Sequence, residues 1–319
     1  MGSKKFAHIS PNRVLLTSFF TTIVIGSLML LLPWCTVAPV KYIDLLFTAC
    51  SATCVTGLFT IPLESLSTMG QWIILILIQI GGLGIITMSL FFMSLFTELG
   101  LSTQVLAGQI FEIESWKNIR TIIISITAIT LICELIGALL FLPYFLALYS
   151  WSDALLYALF LSISSFCSAG IHLPQTEICI SPAHPYMSAI SALLVFIGGF
   201  GFISLIEIWR YMYARWYEER YRISLHSKIV ISTTYTLYIV FTLLFWLLEK
   251  QTILHSYSFI ESILISFFHA ITLRSAGILL YPLALLSPAT QFMILPYGLI
   301  GSGPGSTGSG IKVTTFMLC

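Results

Sequence analysis

Thr53-Cys54-Val55-Thr56-Gly57, Phe166-Cys167-Ser168-Ala169-Gly170 and Leu273-Arg274-Ser275-Ala276-Gly277 are three versions of one short motif, 113 and 107 residues apart. Each closes a short apolar segment, at roughly 43–53, 153–166 and 259–273. A helix needs about 20 residues to cross a hydrocarbon core, so these segments read as re-entrant half-helices. Longer apolar runs at 14–34, 70–96, 119–142, 187–209, 227–248 and 288–316 read as six spans. The order span, half-helix, glycine motif, span therefore occurs three times. The second span of each unit carries its own glycine cluster: Gly81-Gly82-Leu83-Gly84, Gly198-Gly199-Phe200-Gly201 and Gly301-Ser302-Gly303. Repeats of this size mean units stacked around a shared centre.

Composition agrees. Charged residues are 8% of the 319, against roughly 25% in a soluble domain, and mean hydropathy is +0.99. That excludes a soluble globular domain, a disordered chain and a nucleic-acid binder, because too little charge is present to cover a water-facing surface. Net charge is +1, so no strong field recruits an acidic partner. The seven cysteines sit mostly in apolar runs and outline neither a disulfide framework nor a metal cluster. Lys4, Lys5, Arg13, Lys117, Arg120, Arg210, Arg215, Arg220, Arg222 and Lys228 lie on one side of the spans, against Lys41 and Lys250 on the other, apart from Arg274 within a glycine motif. This positive-inside bias puts both termini in the cytoplasm. The expected organisation is an all-α polytopic membrane protein: a cytoplasmic N-terminus (1–13), unit 1 (14–96), a cytoplasmic loop (97–118), unit 2 (119–209), a cytoplasmic loop (210–226) and unit 3 (227–319).

The chemistry follows from the motifs. Asp44, Asp153 and Glu261 sit near the start of the half-helices, where a carboxylate complements the positive end of the helix dipole. The negative ends then point at the glycine motifs. A cation leaving water needs its hydration shell replaced, and backbone carbonyls can do this. Glycine permits the backbone conformations that this requires, and small neighbours keep the approach open. Thr56, Gly57, Ala169, Gly170, Ala276 and Gly277 are therefore the candidate ion-filter residues, holding the ion through backbone carbonyls near the three glycines. Gly81, Gly82 and Gly84, like Gly198, Gly199 and Gly201, read as close helix contacts. The third cluster runs on as Gly301-Ser302-Gly303-Pro304-Gly305-Ser306-Thr307-Gly308-Ser309-Gly310, which is not a regular helix. It reads as a flexible obstruction in a pore. It lacks the glycine-lysine-serine ending and sheet context of a phosphate loop. Among the intramembrane acids, Glu207 has Arg210 and Tyr211 as local partners, Glu249 sits at an outer span end, and Glu134 has none in its own helix. His172 and His184 show no metal spacing.

At these residues the chain resembles the Trk/Ktr/HKT superfamily of potassium transporters, in the stretches 47–58, 134–138, 157–170, 196–201, 268–277 and 301–315. The run Pro304 to Lys312 is highly specific to that family. The resemblance implies a pseudo-fourfold, potassium-channel-like pore of helix–pore-helix–helix units in a bacterial plasma (inner) membrane. Filter glycines would be Gly57, Gly170 and Gly277, with a gating loop at Gly301, Gly303, Pro304, Gly305, Ser306, Thr307, Gly308, Ser309 and Gly310. Starting directly at span one, the chain is more similar to the Ktr translocating subunit than to Trk. The implied cargo is potassium, with sodium coupling left open and no covalently bound cofactor. The implied partners are lipid, a second copy in a homodimer and a cytoplasmic ring of nucleotide-binding regulatory subunits. Ser168 stands where the family has asparagine and Ser275 where it has threonine; both are small and polar. The family also has a fourth unit, whereas this sequence contains three. A separate chain supplying that unit, a natural truncation and a disrupted frame all stay open. The rival reading is a transport-silent remnant or assembly subunit. An enzyme is not expected, because no paired acid and base recur at usable spacing.

Overall fold

The computed structural model describes residues 11–84, 119–217 and 221–318. They form α1 (Pro11–Leu30), α2 (Tyr42–Thr53), α3 (Thr68–Leu83), α4 (Ile119–Leu146), α5 (Trp151–Phe166) and α6 (Pro174–Glu177). The series continues with α7 (Pro185–Gly199), α8 (Phe202–Trp216), α9 (Leu225–Glu249), α10 (Phe259–Thr272), α11 (Pro288–Leu299) and α12 (Val313–Leu318). Among the described residues there is no strand, only isolated bridges at Thr36–Leu66 and Ile300–Ile311. The half-helices expected from sequence are α2, α5 and α10. The cytoplasmic loop at 97–118, residues 85–96 of the second expected span and most of the N-terminal segment lie outside the described residues.

Each half-helix packs on the helix before it: α2 on α1, α5 on α4 and α10 on α9. The exit helix of one unit also packs on the half-helix of the next, α3 against α5 and α7 against α10. The core follows these contacts. Phe141, Phe145, Phe160, Phe166 and Phe245 are fully buried, while Leu131, Leu135 and Leu139 leave an apolar stripe of α4 outside the protein. That stripe suits a helix whose solvent is lipid. Hydroxyls inside the half-helices are satisfied locally: Thr48, Thr53, Ser266 and Thr272 each donate to the carbonyl four residues back.

The acidic starts behave as the dipole argument requires. Ser258 and Glu261 form a reciprocal capping box at α10. The Ser258 backbone N–H and then its hydroxyl hold the Glu261 carboxyl below its ordinary range. At α5, the Ser150 hydroxyl donates to Asp153 at 2.7 Å. The hairpins after the first and third motifs repeat as well. Ser67 and Ser287 cap α3 and α11 by accepting from Gly70 and Thr290, both at 3.3 Å.

Two of the six expected continuous spans are interrupted, and the helix of a third ends before the last described residue of its run. Among the described residues, two helices, Ile123–Leu146 and Leu225–Glu249, are long and apolar enough to cross a membrane unaided. The run at 187–209 is a bent pair, α7 and α8, turning through 98°. Its break falls at Gly201, where φ is +98°, and α3 ends at the corresponding Gly84, where φ is +80°. The last run stops at Leu299 and resumes only at Val313. Glycine is tolerated in an apolar run by any hydropathy count, but its left-handed backbone ends the helix.

Candidate functional site

The motifs are built by how the half-helices end. In α2 and α5, the Thr56 and Ala169 N–H groups reach back to the Ser51 and Ser164 carbonyls at 2.9 Å. The Val55 and Ser168 N–H groups bond the Ala52 and Ser165 carbonyls at 3.3 and 3.1 Å. This is the Schellman arrangement. It places Val55 (φ +54°) and Ser168 (φ +55°) in the left-handed region, where glycine normally sits. That conformation costs an L-residue roughly 1–2 kcal/mol, and such strain marks functional backbone. The third motif leaves α10 differently: the Ala276 and Gly277 N–H groups both bond the Thr272 carbonyl, at 2.9 and 2.8 Å.

The three motif glycines lie side by side, with φ of +82°, +63° and +66° at Gly57, Gly170 and Gly277. A β-carbon on Gly57 would sit 2.6 Å from the Ala169 carbonyl oxygen, and one on Gly170 would strike the Ala276 carbonyl oxygen. Gly57 and Gly170 thus each abut the carbonyl that precedes the next motif's glycine. A β-carbon on Gly277 would meet nothing within 4 Å. The structure brings Thr56, Ala169 and Ala276 together with these glycines in one arc, closed between motifs one, two and three and open beyond the third.

The clusters lock this arc. Gly81 and Gly198 each press on the last carbonyl of their own half-helix, Thr53 and Phe166. Gly82 presses on Cys167 of the next motif, and Gly199 lies against Ser302 and Ser275. The close-contact reading of these glycines is borne out, whereas Gly84 and Gly201 are break points instead.

Two supporting serines were not singled out from sequence, and Glu134 and Arg274 gain partners that the sequence did not show. Ser51 Oγ accepts from the Leu58 N–H at 2.9 Å, and Ser164 Oγ accepts from the Ile171 N–H at 3.2 Å while donating to the Ile171 carbonyl at 2.5 Å. Both serines lie six residues before their glycine, a repeat that could have flagged them; unit three has Ile271 there. Glu134, 3% exposed, reaches across from α4 to accept from Cys167 Sγ at 3.6 Å. Arg274 is 2% exposed, donates from Nε to the Gly301 carbonyl at 2.8 Å and lies over the Tyr238 ring at 5.1 Å. Replacing Ser164 by alanine is expected to leave the buried Ile171 N–H unpaired. It should cost about 1–3 kcal/mol, read as a lower thermal unfolding midpoint in lipid, with serine-to-threonine less damaging.

Two acids have longer-range partners than their own helices suggest. Glu207 accepts from the Ser224 N–H and hydroxyl at 3.0 and 2.8 Å, tying α8 to the start of α9. Glu249 accepts from the Ser287 N–H at 2.8 Å and from the Thr252 hydroxyl.

The stretch 301–310 folds as a buried loop under the second motif. The Gly303 N–H bonds the Gly199 carbonyl at 3.0 Å and the Thr307 N–H bonds the Gly198 carbonyl at 3.1 Å. The Phe202 N–H bonds the Gly305 carbonyl at 3.0 Å, and Thr307 Oγ1 donates to the Phe166 carbonyl at 2.9 Å. Its own ends pair as well, Gly301 N–H to the Ile311 carbonyl at 2.8 Å and Ser302 N–H to the Ser309 carbonyl at 3.2 Å. These amides meet protein carbonyls, where a purely hydrated loop would offer them to water. Gly301, Gly303, Pro304 and Gly308 are enclosed with Ser302 and Thr307, Gly305 and Ser306 are half-buried, and Ser309 and Gly310 are exposed. Among the described residues no group of histidine, cysteine, aspartate and glutamate could hold a metal ion.

Comparison with known proteins agrees with this architecture. The family model described as TrkH, cation transport protein, matches residues 4–319. The chain is 32% identical over 320 residues to Ktr system potassium uptake protein B of Bacillus subtilis, spanning 98% of this chain and 70% of that protein. It is 34% identical over 324 residues to the protein of the same name from Vibrio alginolyticus, spanning 99% and 69%. It is 30% identical over 313 residues to the potassium/sodium uptake protein NtpJ of Enterococcus hirae, spanning 97% and 68%. The crystal structure of the potassium transporter TrkH from Vibrio parahaemolyticus shares the fold, with a TM-score of 0.70 at 19% identity over 99% of this chain and 62% of that one. Apolar helices and bacterial relatives together make this a multi-pass protein of the bacterial inner membrane. It is no enzyme: the chain belongs to the TrkH family of cation transport proteins.

Proposed function

We propose that this chain carries potassium into the cell, as the membrane-embedded part of an uptake system. The ion passes the backbone carbonyls at Thr56–Gly57, Ala169–Gly170 and Ala276–Gly277, and the loop 301–310 obstructs the path below them. One observation carries the reading: three left-handed glycines, the first two each packed against the carbonyl before the next motif's glycine. Such an arc presents carbonyl dipoles at a spacing only glycine allows, and it is the means by which an ion's hydration shell is replaced without a charged ring. The names of the relatives supply the cargo, since potassium is common to them and sodium appears in one. The open side beyond Gly277 is where a fourth unit belongs, from this polypeptide's continuation or from a separate chain. Pairing with a second copy and regulation by a cytoplasmic nucleotide-binding ring belong to the same reading.

The test is rubidium uptake by bacteria lacking their own potassium-uptake systems. Cells making the chain together with a fourth unit, grafted or co-expressed, should accumulate rubidium and outgrow the parent strain at low potassium. Cells making only the three units should not. Equal, background-level uptake in both, with the protein present in the membrane, would favour a transport-silent assembly subunit.

A further inference from the structure

The loop 301–310 is held by groups that an unbroken helix would use for itself. The acceptors are the Gly198 and Gly199 carbonyls, and one donor is the Phe202 N–H. Gly198 and Phe202 are four residues apart, the spacing of an α-helical hydrogen bond. If α7 and α8 ran on as one helix, the Phe202 N–H would bond the Gly198 carbonyl and the Ile203 N–H the Gly199 carbonyl. Instead, the chain turns through 98° at Gly201, and the loop occupies all three groups.

We propose that the bend between α7 and α8 is a receptor site for the gating loop, and that loop release and helix straightening are one event. The inference rests on reading 301–310 as the gate and adds how that gate is worked. With the helix bent, three backbone bonds and the Thr307 hydroxyl bond hold the loop under the filter arc. With the helix straight, the hinge groups satisfy each other and the loop loses its three backbone bonds to α7 and α8, keeping only side-chain ties such as Arg274 to the Gly301 carbonyl. In both states the Gly198 and Gly199 carbonyls and the Phe202 N–H have partners, and at membrane depth each unpaired group costs several kcal/mol. An intermediate with the loop free and the helix still bent would leave three unpaired, so the element has two states. Gly201 makes the bent state possible: its φ of +98° is a glycine conformation, and a β-carbon there would lie 2.8 Å from the Pro304 carbonyl. α8 carries the hinge onward to Arg210 and Arg215, at the edge of the segment read from sequence as cytoplasmic. A pull on that end has a direct route to the loop.

Two measurements on the lipid-reconstituted, transport-competent assembly, with native cysteines replaced, test this. Spin labels at Tyr186 and Met212, both exposed, report the bend. Twenty-six residues of straight helix span roughly 39 Å at about 1.5 Å per residue, against roughly 24 Å across the observed turn. Gly201→Ala removes the glycine conformation and favours helix. It should lengthen the distance and raise rubidium flux roughly fivefold, the factor that Gly-to-Ala helix propensity supplies. Thr307→Val should act in the same direction more weakly, with Thr307→Ser restoring wild-type behaviour. Gly199→Cys with Ser302→Cys supplies the converse. The two β-carbons lie 3.8 Å apart, the usual disulfide separation of about 3.8 Å. Oxidation should hold the short distance and suppress flux even with Gly201→Ala, and reduction should restore both. Raised flux at an unchanged distance, in either Gly201→Ala or Thr307→Val, overturns the coupling. A lengthened distance with flux indifferent to the disulfide supports the helix exchange and overturns the gate.

Discussion

Gly170→Ser is expected to abolish most of the preference for potassium over sodium. Two effects act at once. The position has φ +63°, and a β-carbon would run into the Ala276 carbonyl oxygen, one of the oxygens proposed to face the ion. A left-handed backbone costs an L-residue about 1–2 kcal/mol, and roughly 1.4 kcal/mol is a factor of ten in an equilibrium. The carbonyl must also move to admit the side chain. Selectivity should therefore fall by roughly tenfold or more, and Gly57→Ser should follow the same course through the Ala169 carbonyl. The measurement is competition between rubidium and sodium for uptake in the complete assembly. Selectivity unchanged at normal expression would remove these glycines from the ion path.

Deleting Gly303 to Ser306 should raise flux several-fold while leaving selectivity largely intact. The deletion removes the Gly303 N–H that bonds Gly199 and the Gly305 carbonyl that accepts from Phe202. It leaves every residue of the filter arc in place. Shortening the loop also withdraws Pro304 from beneath Gly201, where its carbonyl now sits. Rubidium uptake at matched membrane expression, with and without the deletion, checks the outcome. Lower or unchanged flux in a folded protein would make the loop a structural break.

The half-helices were legible in the sequence almost to the residue, because a short apolar run bounded by an acid and a glycine motif has few other uses in a membrane. The expected 43–53, 153–166 and 259–273 correspond to α2, α5 and α10. The break in the 187–209 run was not legible. Hydropathy records composition, and nothing in it says that the Phe202 N–H finds its acceptor on Gly305, a hundred residues on. Ser51 and Ser164 were hidden for a related reason. A serine in an apolar helix reads as a small packing residue until the stretch of loop backbone it supports has been placed beside it. Arg274 was visible only as a basic residue out of place in a glycine motif, and its Gly301 and Tyr238 contacts depend on tertiary packing.

The unequal third motif has a consequence for how such a ring can change over time. A ring of identical subunits is altered at every corner by each mutation. Here each corner has its own codons. The first two corners rest on Ser51 and Ser164 and on a Schellman turn. The third has Ile271 at that place, turns on Thr272 alone and carries Arg274 fastened to the Gly301 carbonyl. One unit is thus free to host a moving part while its neighbours keep a rigid geometry. Substitutions should accordingly act by degrees, unit by unit, and in the proposed pore a movement at the third motif would reach the ion from one side only.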